Sequence, residues 1–142
     1  MIVVVDASVA IKWCISEEYT TDAEQLLDKR FILHAPELLL PEFANILWKK
    51  CRQADLNIKE AETALKFLRR QHITFHPHSN LLNTALQGAH EINRAVYDWI
   101  YFALALSLSC PFVTADRRFF LALRKTRFRR DVVWIENIRN LV

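Results

Sequence analysis

Four carboxylates spread along the 142-residue chain could together form a metal site. They are Asp6, Glu42, Asp98 and Asp116. Like charges that pack closely must either take up protons or share a cation. Oxygen ligands of this kind favour a hard ion such as Mg²⁺ or Mn²⁺ over zinc. Such a site can polarise a phosphate and activate water for in-line attack, so these residues indicate phosphodiester hydrolysis.

Taken singly, most of these acids have an ordinary structural alternative. Asp6 and Asp116 each follow a predicted strand and precede a predicted helix, where an aspartate is often only an N-cap. A solvent-facing glutamate is the ordinary alternative for Glu42. Asp98 begins an apolar helix, and no Lys or Arg follows it within two turns, so the sequence provides it with no counter-ion. The metal site depends on all four acids meeting in the fold.

The segments that must position these acids alternate between strand and helix. The β-branched run before Asp6 predicts a central strand buried on both faces. This strand covers residues 2–5, and further strands are predicted at residues 31–33, 73–75, 111–114 and 132–135. Helical stretches separate the strands and no hairpin dipeptide occurs, which predicts an α/β fold with a central parallel sheet and helices on both faces. Ligands of such sheets bind at the carboxyl ends of the strands.

Local signals predict where the helices begin. A helical segment is expected over residues 8–15. Residues 21–24 and 57–60 have capping-box spacing. Pro36 predicts the start of a helical region, and Pro41 either kinks it or begins the main helix through Lys50. Ser79 is expected to cap a further helix, residues 98–107 form another, and a basic helix follows Asp116.

Composition limits the class of protein. The length and a hydrophobic content of 52% predict one globular domain over residues 1–142. The single glycine, Gly88, excludes a glycine-rich phosphate loop. Three scattered cysteines give no zinc pattern. With no basic leader and no apolar stretch long enough to span a bilayer, the sequence predicts a soluble cytoplasmic protein without a membrane partner.

Four segments resemble, in order and spacing, the signatures of the PIN-domain nucleases, and within them the VapC-type toxins of prokaryotic toxin–antitoxin pairs. They are Val4-Val5-Asp6-Ala7-Ser8, Pro41-Glu42-Phe43-Ala44-Asn45-Ile46-Leu47, Tyr97-Asp98-Trp99-Ile100-Tyr101-Phe102-Ala103-Leu104-Ala105, and Phe112-Val113-Thr114-Ala115-Asp116-Arg117-Arg118-Phe119. The segments span residues 4–119, so the resemblance covers most of the chain.

The resemblance implies a parallel sheet with an acidic pocket that binds Mg²⁺ or Mn²⁺ and cuts RNA. Asp6 and Asp98 would be the principal metal ligands. Glu42 would ligate the metal or position its water, and Asp116 would complete the site or a second metal. Small polar residues would support these acids at three positions: Ser8, Thr114 and Asn45, the last of which could equally be structural.

The resemblance also implies partners: the RNA substrate, a cognate antitoxin and a second copy of the chain in a homodimer. Seven of the basic residues lie between 117 and 130. Those expected to contact RNA or an acidic partner segment are Arg117, Arg118, Arg124 and Lys125, while the interleaved phenylalanines are expected in the core. Trp99 departs from the family, which usually has alanine there, and would either narrow the pocket or repack against a neighbouring helix.

Three alternatives stay open at this point. The chain could be a housekeeping PIN-domain nuclease that processes RNA without a toxin role. It could also be a catalytically silent module that binds RNA or protein. A phosphoacceptor switch would gather acids at strand ends too, but it needs a second acid beside Asp6 and a lysine after the last strand, where Glu136 and Asn137 stand instead.

Overall fold

The computed structural model describes residues 1–141 and contains one five-stranded sheet. Every neighbouring pair of strands is parallel, in the order β3-β2-β1-β4-β5. The strands are β1 (Ile2–Val5), β2 (Ile32–Pro36), β3 (Ile73–His76), β4 (Phe112–Thr114) and β5 (Val132–Trp134). The predicted parallel α/β fold is confirmed, with all five strands close to their expected positions.

Seven α-helices occur within residues 1–141. They are α1 (Ala7–Ala10), α2 (Thr20–Glu24), α3 (Leu39–Arg52), α4 (Ile58–Arg70), α5 (Leu82–Ile92), α6 (Val96–Leu108) and α7 (Arg117–Arg124). Short 3₁₀ segments cover Ile11–Trp13, Gln25–Leu27, Ser79–Leu81 and Ile135–Leu141. In the part of the chain that the structure describes, no helix has the length and apolarity needed to cross a membrane.

The core lies on both faces of β1. Val3, Val4 and Val5 are all fully buried, and successive strand residues point to opposite faces, so both faces of the sheet are covered. Helix α6 is buried nearly all round, from Trp99 to Ala105, because it packs against β1 and β2 and also against α5.

The strand order creates a crevice beside β1. From β1 the chain adds β2 and β3 on one side of the sheet, then returns to add β4 and β5 on the other. Parallel α/β sheets bind ligands at such a switch point, beyond the carboxyl ends of the two central strands. Asp6 follows β1 directly and Asp116 lies two residues after β4, so the fold brings these two acids to the same crevice.

Some predicted element ends are wrong. Pro36 is the last residue of β2, not the start of a helix. A proline is tolerated there because the pairing of β2 with β1 ends at His34, so no ladder donor is lost. Helix α3 begins at Leu39 and contains Pro41 in its first turn, where the missing N–H has no helical partner in any case. At the chain's end, β5 stops at Trp134 and the next residues form a 3₁₀ segment.

Of the three caps predicted at residues 21–24, 57–60 and 79, one is confirmed and two are wrong. Asn57 and Glu60 form the full capping box, with the backbone N–H of each donating to the side chain of the other. Helix α2 instead follows Tyr19 in a left-handed conformation, φ 66°, without a side-chain cap. Ser79 begins a 3₁₀ turn and caps no helix.

Candidate active site

All four carboxylates line one open cleft of about 270 Å³ at the carboxyl edge of the sheet. The cleft is also lined by Ala7, Ser8, Asn45, Ile46, Lys49, Tyr101 and Phe119. Thr114 lies directly behind it and is fully buried. The four basic residues expected to contact RNA or a partner are exposed, but they do not line the cleft. The fold therefore brings together every predicted acid and its three predicted supporting residues.

Asp6 is held by three hydrogen bonds at the N-terminus of α1. Its Oδ1 accepts from the Ser8 hydroxyl at 2.5 Å and from the Val9 N–H at 3.2 Å. Its Oδ2 accepts from the Thr114 hydroxyl at 2.5 Å. Asp6 is thus an N-cap, as the ordinary alternative predicted, and it lines the cleft as well. Burial raises the pKa of Asp6 to about 7 despite these donors.

Asp116 has the matching position after β4. Its Oδ1 accepts from the Phe119 N–H at 3.1 Å and caps α7. The Asp116 N–H donates to the Thr114 hydroxyl at 2.9 Å, and the Ala115 N–H donates to the Ser8 hydroxyl at 3.0 Å. Both hydroxyls therefore connect Asp6 to the turn that carries Asp116, which is the geometry expected of residues that orient the acids.

Glu42 lies in the first turn of α3 and is half-buried. Its Oε2 accepts a 2.5 Å hydrogen bond from the Tyr101 hydroxyl. Burial, with a smaller contribution from the Asp98 charge, raises the pKa of Glu42. Glu42 is therefore not a solvent-facing surface acid. Sequence reasoning missed Tyr101, although its position three residues after Asp98 puts both on one face of α6.

Asp98 has a counter-ion, contrary to the sequence-based expectation. Arg94 precedes it by four residues, and its Nη2 lies 3.4 Å from Asp98 Oδ2 and 3.9 Å from Asp116 Oδ2. Burial, together with the Asp116 charge, still raises the pKa of Asp98, although Arg94 opposes the shift. The expectation failed because it considered only residues after Asp98, whereas the cation comes from the turn before α6.

Trp99 lies outside the cleft. Its ring packs edge-to-face against Phe102, Phe119 and Phe128 and directly over Gly88, where a Cβ would come within 2.3 Å of the ring. Of the two alternatives for Trp99, the structure shows the second: the ring packs against the neighbouring helix α5 and does not narrow the cleft. The same contacts place Phe119 and Phe128 against the core, as expected.

The donor chemistry of the cleft fits a hard divalent cation. Burial raises the pKa of three of its carboxyls. A cation bound between them would therefore stabilise their ionised forms. Within residues 1–141, however, no three His, Cys, Asp or Glu side chains lie close enough to hold one ion as they stand. An ion held by three of these acids would therefore have to draw their carboxylates closer together.

Comparisons with known proteins identify the family. Residues 3–125 match the PIN domain. The chain is similar to Ribonuclease VapC3 of Pyrobaculum aerophilum, with 32% identity over 120 residues, covering 83% of this chain and 92% of the relative. Its fold is similar to that of PAE2754 from Pyrobaculum aerophilum, with a TM-score of 0.70 and 25% identity, covering 96% of this chain and 85% of the other.

A third similarity concerns the fold alone. VapBC2 from Rickettsia felis, solved bound to a DNA fragment from its promoter, has a chain that superposes with a TM-score of 0.63 at 13% identity. The superposition covers 94% of this chain and 97% of that one. With the family match over most of the sequence, these similarities settle the classification: the chain belongs to the PIN-domain family, and its homologues are VapC ribonucleases.

Proposed function

We propose that the chain is a Mg²⁺- or Mn²⁺-dependent endoribonuclease that acts in the cytoplasm as the toxin of a toxin–antitoxin pair. The observation that carries the proposal is the convergence of Asp6, Glu42, Asp98 and Asp116 in one open cleft at the switch point of the sheet. Relatives named as VapC ribonucleases support RNA as the substrate and the toxin role.

The oxygen atoms of the cleft suggest which acids would hold the ion. Among residues 1–141 no donor contacts Glu42 Oε1 or Asp98 Oδ1, whereas Tyr101 and Arg94 engage their partner oxygens. Asp6 Oδ2 has one donor, Thr114, and so keeps a second lone pair free. We assign these three oxygens as the principal ligands. When bound, the ion would polarise the scissile phosphate and lower the pKa of a water molecule.

The chain's own residues would hold this arrangement in place. The Ser8 and Thr114 hydroxyls fix both oxygens of Asp6, and Tyr101 fixes one oxygen of Glu42. Such partners orient the ligands, and losing one typically costs roughly 10- to 100-fold in metal affinity. Lys49 and Asn45 line the opening, where a cation and an amide can contact the phosphate and sugar of an RNA strand.

The exposed basic residues of α7 and the segment after it extend the proposal to partners. Arg117, Arg118, Arg124 and Lys125 are all exposed, and we propose that they contact the RNA backbone or an acidic segment of an antitoxin. The fold shared with a chain of the VapBC2 structure supports an antitoxin as the partner. We propose a homodimer on the family resemblance alone.

Mapping RNA ends after brief expression tests this function. Wild type should generate new RNA ends within minutes, whereas Asp6→Asn, which keeps the size of the side chain, should generate none above background. Co-expression of the product of a short neighbouring reading frame should suppress the wild-type ends if that product is the antitoxin. Equal end patterns for wild type and Asp6→Asn would refute nuclease activity at this cleft. New ends that the neighbouring product does not suppress would show that this product is not the antitoxin.

A further inference from the structure

We infer that Arg94 takes the place of a second divalent ion, so that the cleft holds a single ion beside a fixed guanidinium. The inference rests on the proposed function, because it concerns how many ions the proposed metal site binds. It starts from the two ion pairs that Arg94 makes with Asp98 and Asp116.

The geometry of Arg94 is that of a bridging cation. One atom, Nη2, lies within 4 Å of the Oδ2 atoms of both Asp98 and Asp116. An ion shared by these two Oδ2 atoms would have to lie where the Arg94 guanidinium now lies. The other oxygen of Asp116 accepts the Phe119 N–H that caps α7. A second ion held by the two Oδ2 atoms would therefore have to displace Arg94.

The backbone holds Arg94 in position. Asn93 ends α5 in the left-handed conformation, φ 53°, which asparagine tolerates better than most residues. The next N–H, that of Arg94, donates back to the Ala89 carbonyl at 3.2 Å. The turn therefore points the chain into α6 with Arg94 one helical turn before Asp98. From this position the guanidinium reaches the carboxylates of both Asp98 and Asp116.

Partial burial strengthens the pairing. The Arg94 side chain is 26% exposed and the Asp98 side chain 30%, so solvent screens this pair less than a fully exposed one. The Nε atom of Arg94 is buried and has no hydrogen-bond partner within the described residues. Arg94 can thus supply positive charge where a second ion would otherwise be needed.

The charges of the cleft also favour one ion. When ionised, its four carboxylates carry four negative charges, and the positive charges of Arg94 and Lys49 compensate two of them. A single divalent ion neutralises the remainder, whereas a second ion would leave the cleft positive before RNA binds. Without Arg94, the balance shifts by one unit towards a second ion, and the two Oδ2 atoms become free to hold it.

The number of bound Mn²⁺ ions per chain tests the inference. Calorimetric titration of wild type should give one ion, and Arg94→Met should give two. The matched control is Arg127→Met, which also removes an arginine paired with a carboxylate, Glu91 at 3.1 Å, but one that lies at an exposed site away from the cleft. The control should bind one ion. Electron paramagnetic resonance should show a coupled pair of Mn²⁺ ions in Arg94→Met only.

The outcomes separate this inference from the proposed function. Two ions in wild type, or one ion in a folded Arg94→Met variant, would overturn the role of Arg94 and leave a metal-dependent nuclease intact. Should Arg94→Met fail to fold by circular dichroism, Arg94→Gln replaces it, and the wild-type count by itself can still refute the inference. A wild type that binds no Mn²⁺ and cuts no RNA would overturn both.

Discussion

Replacing Asp6 with asparagine should stabilise the metal-free protein at neutral pH while abolishing RNA cleavage. Burial raises the pKa of Asp6 from 3.8 to about 7, so the folded chain holds a carboxylate that would be better solvated in the unfolded chain. A shift of about three pKa units corresponds to about 4 kcal/mol at 1.36 kcal/mol per unit, which is the ceiling of the gain. We expect about half of it, roughly 2 kcal/mol, because an amide replaces the carboxyl group imperfectly between Ser8 and Thr114.

The stability of the wild type should depend on pH through the protonation of Asp6. Between pH 4 and 7 the folded wild type keeps a proton on Asp6 that the unfolded chain has lost. Wild-type stability therefore falls as the pH rises through this window and levels off above it. Asp6→Asn lacks this dependence. Its gain in unfolding free energy over wild type should therefore be small near pH 4, grow up to pH 7 and stay constant above pH 7.

Urea unfolding in EDTA at pH 5 and pH 8, followed by circular dichroism, measures this difference. The matched control is Asp28→Asn, because the Arg30 backbone N–H lowers the pKa of the exposed Asp28 carboxyl, so this change should bring no gain at pH 8. A folded Asp6→Asn protein that is less stable than wild type at pH 8, or equally more stable at both pH values, would contradict this effect of burial.

Three further substitutions test other parts of the structure. Tyr101→Phe removes the hydroxyl that donates to Glu42 and should weaken Mn²⁺ binding by about 10-fold in a calorimetric titration; unchanged affinity would contradict this role. Gly88→Ala would ordinarily stabilise a helix, but the new Cβ would lie 2.3 Å from the Trp99 ring, so urea unfolding should show a loss of about 1–3 kcal/mol. In a Trp99→Ala background the same change should stabilise, and a loss there too would refute the steric explanation. Asn57→Ala breaks the capping box and should cost about 1 kcal/mol in urea unfolding without altering RNA cleavage; a matching loss of cleavage would show that the cap affects the cleft.

The sequence predicts the sheet because the buried strands have a simple pattern. The run of valines before Asp6 is continuous and β-branched, as a strand buried on both faces requires. Element ends depend on tertiary contacts that no local pattern contains. Pro36, for example, has the local signature of a helix start, yet it lies in β2 because it pairs with His76 of β3. A proline is tolerated there because the pairing with β1 has already ended at His34.

The acids of the site could be predicted, but their partners could not. Asp6 and Asp116 follow strands that neighbour each other in the sheet, so their convergence follows from the topology. Tyr101 lies in an apolar run that looks like core, and only the fold shows that its hydroxyl reaches Glu42 from 59 residues away. Arg94 was missed because the sequence-based expectation considered only residues after Asp98, whereas the cation lies four residues before it.

Cleavage of RNA by the purified protein tests the central claim most directly. Single-turnover rates of wild type and Asp98→Asn should be measured with Mg²⁺, with Mn²⁺ and in EDTA, with circular dichroism to establish that both proteins are folded. The carboxylate site predicts cleavage that requires a divalent ion and falls to background in Asp98→Asn, because this change removes the charge and one of the assigned ligand oxygens. An Asp98→Asn protein that cuts as fast as wild type, or a wild type that cuts equally well in EDTA, would contradict the account.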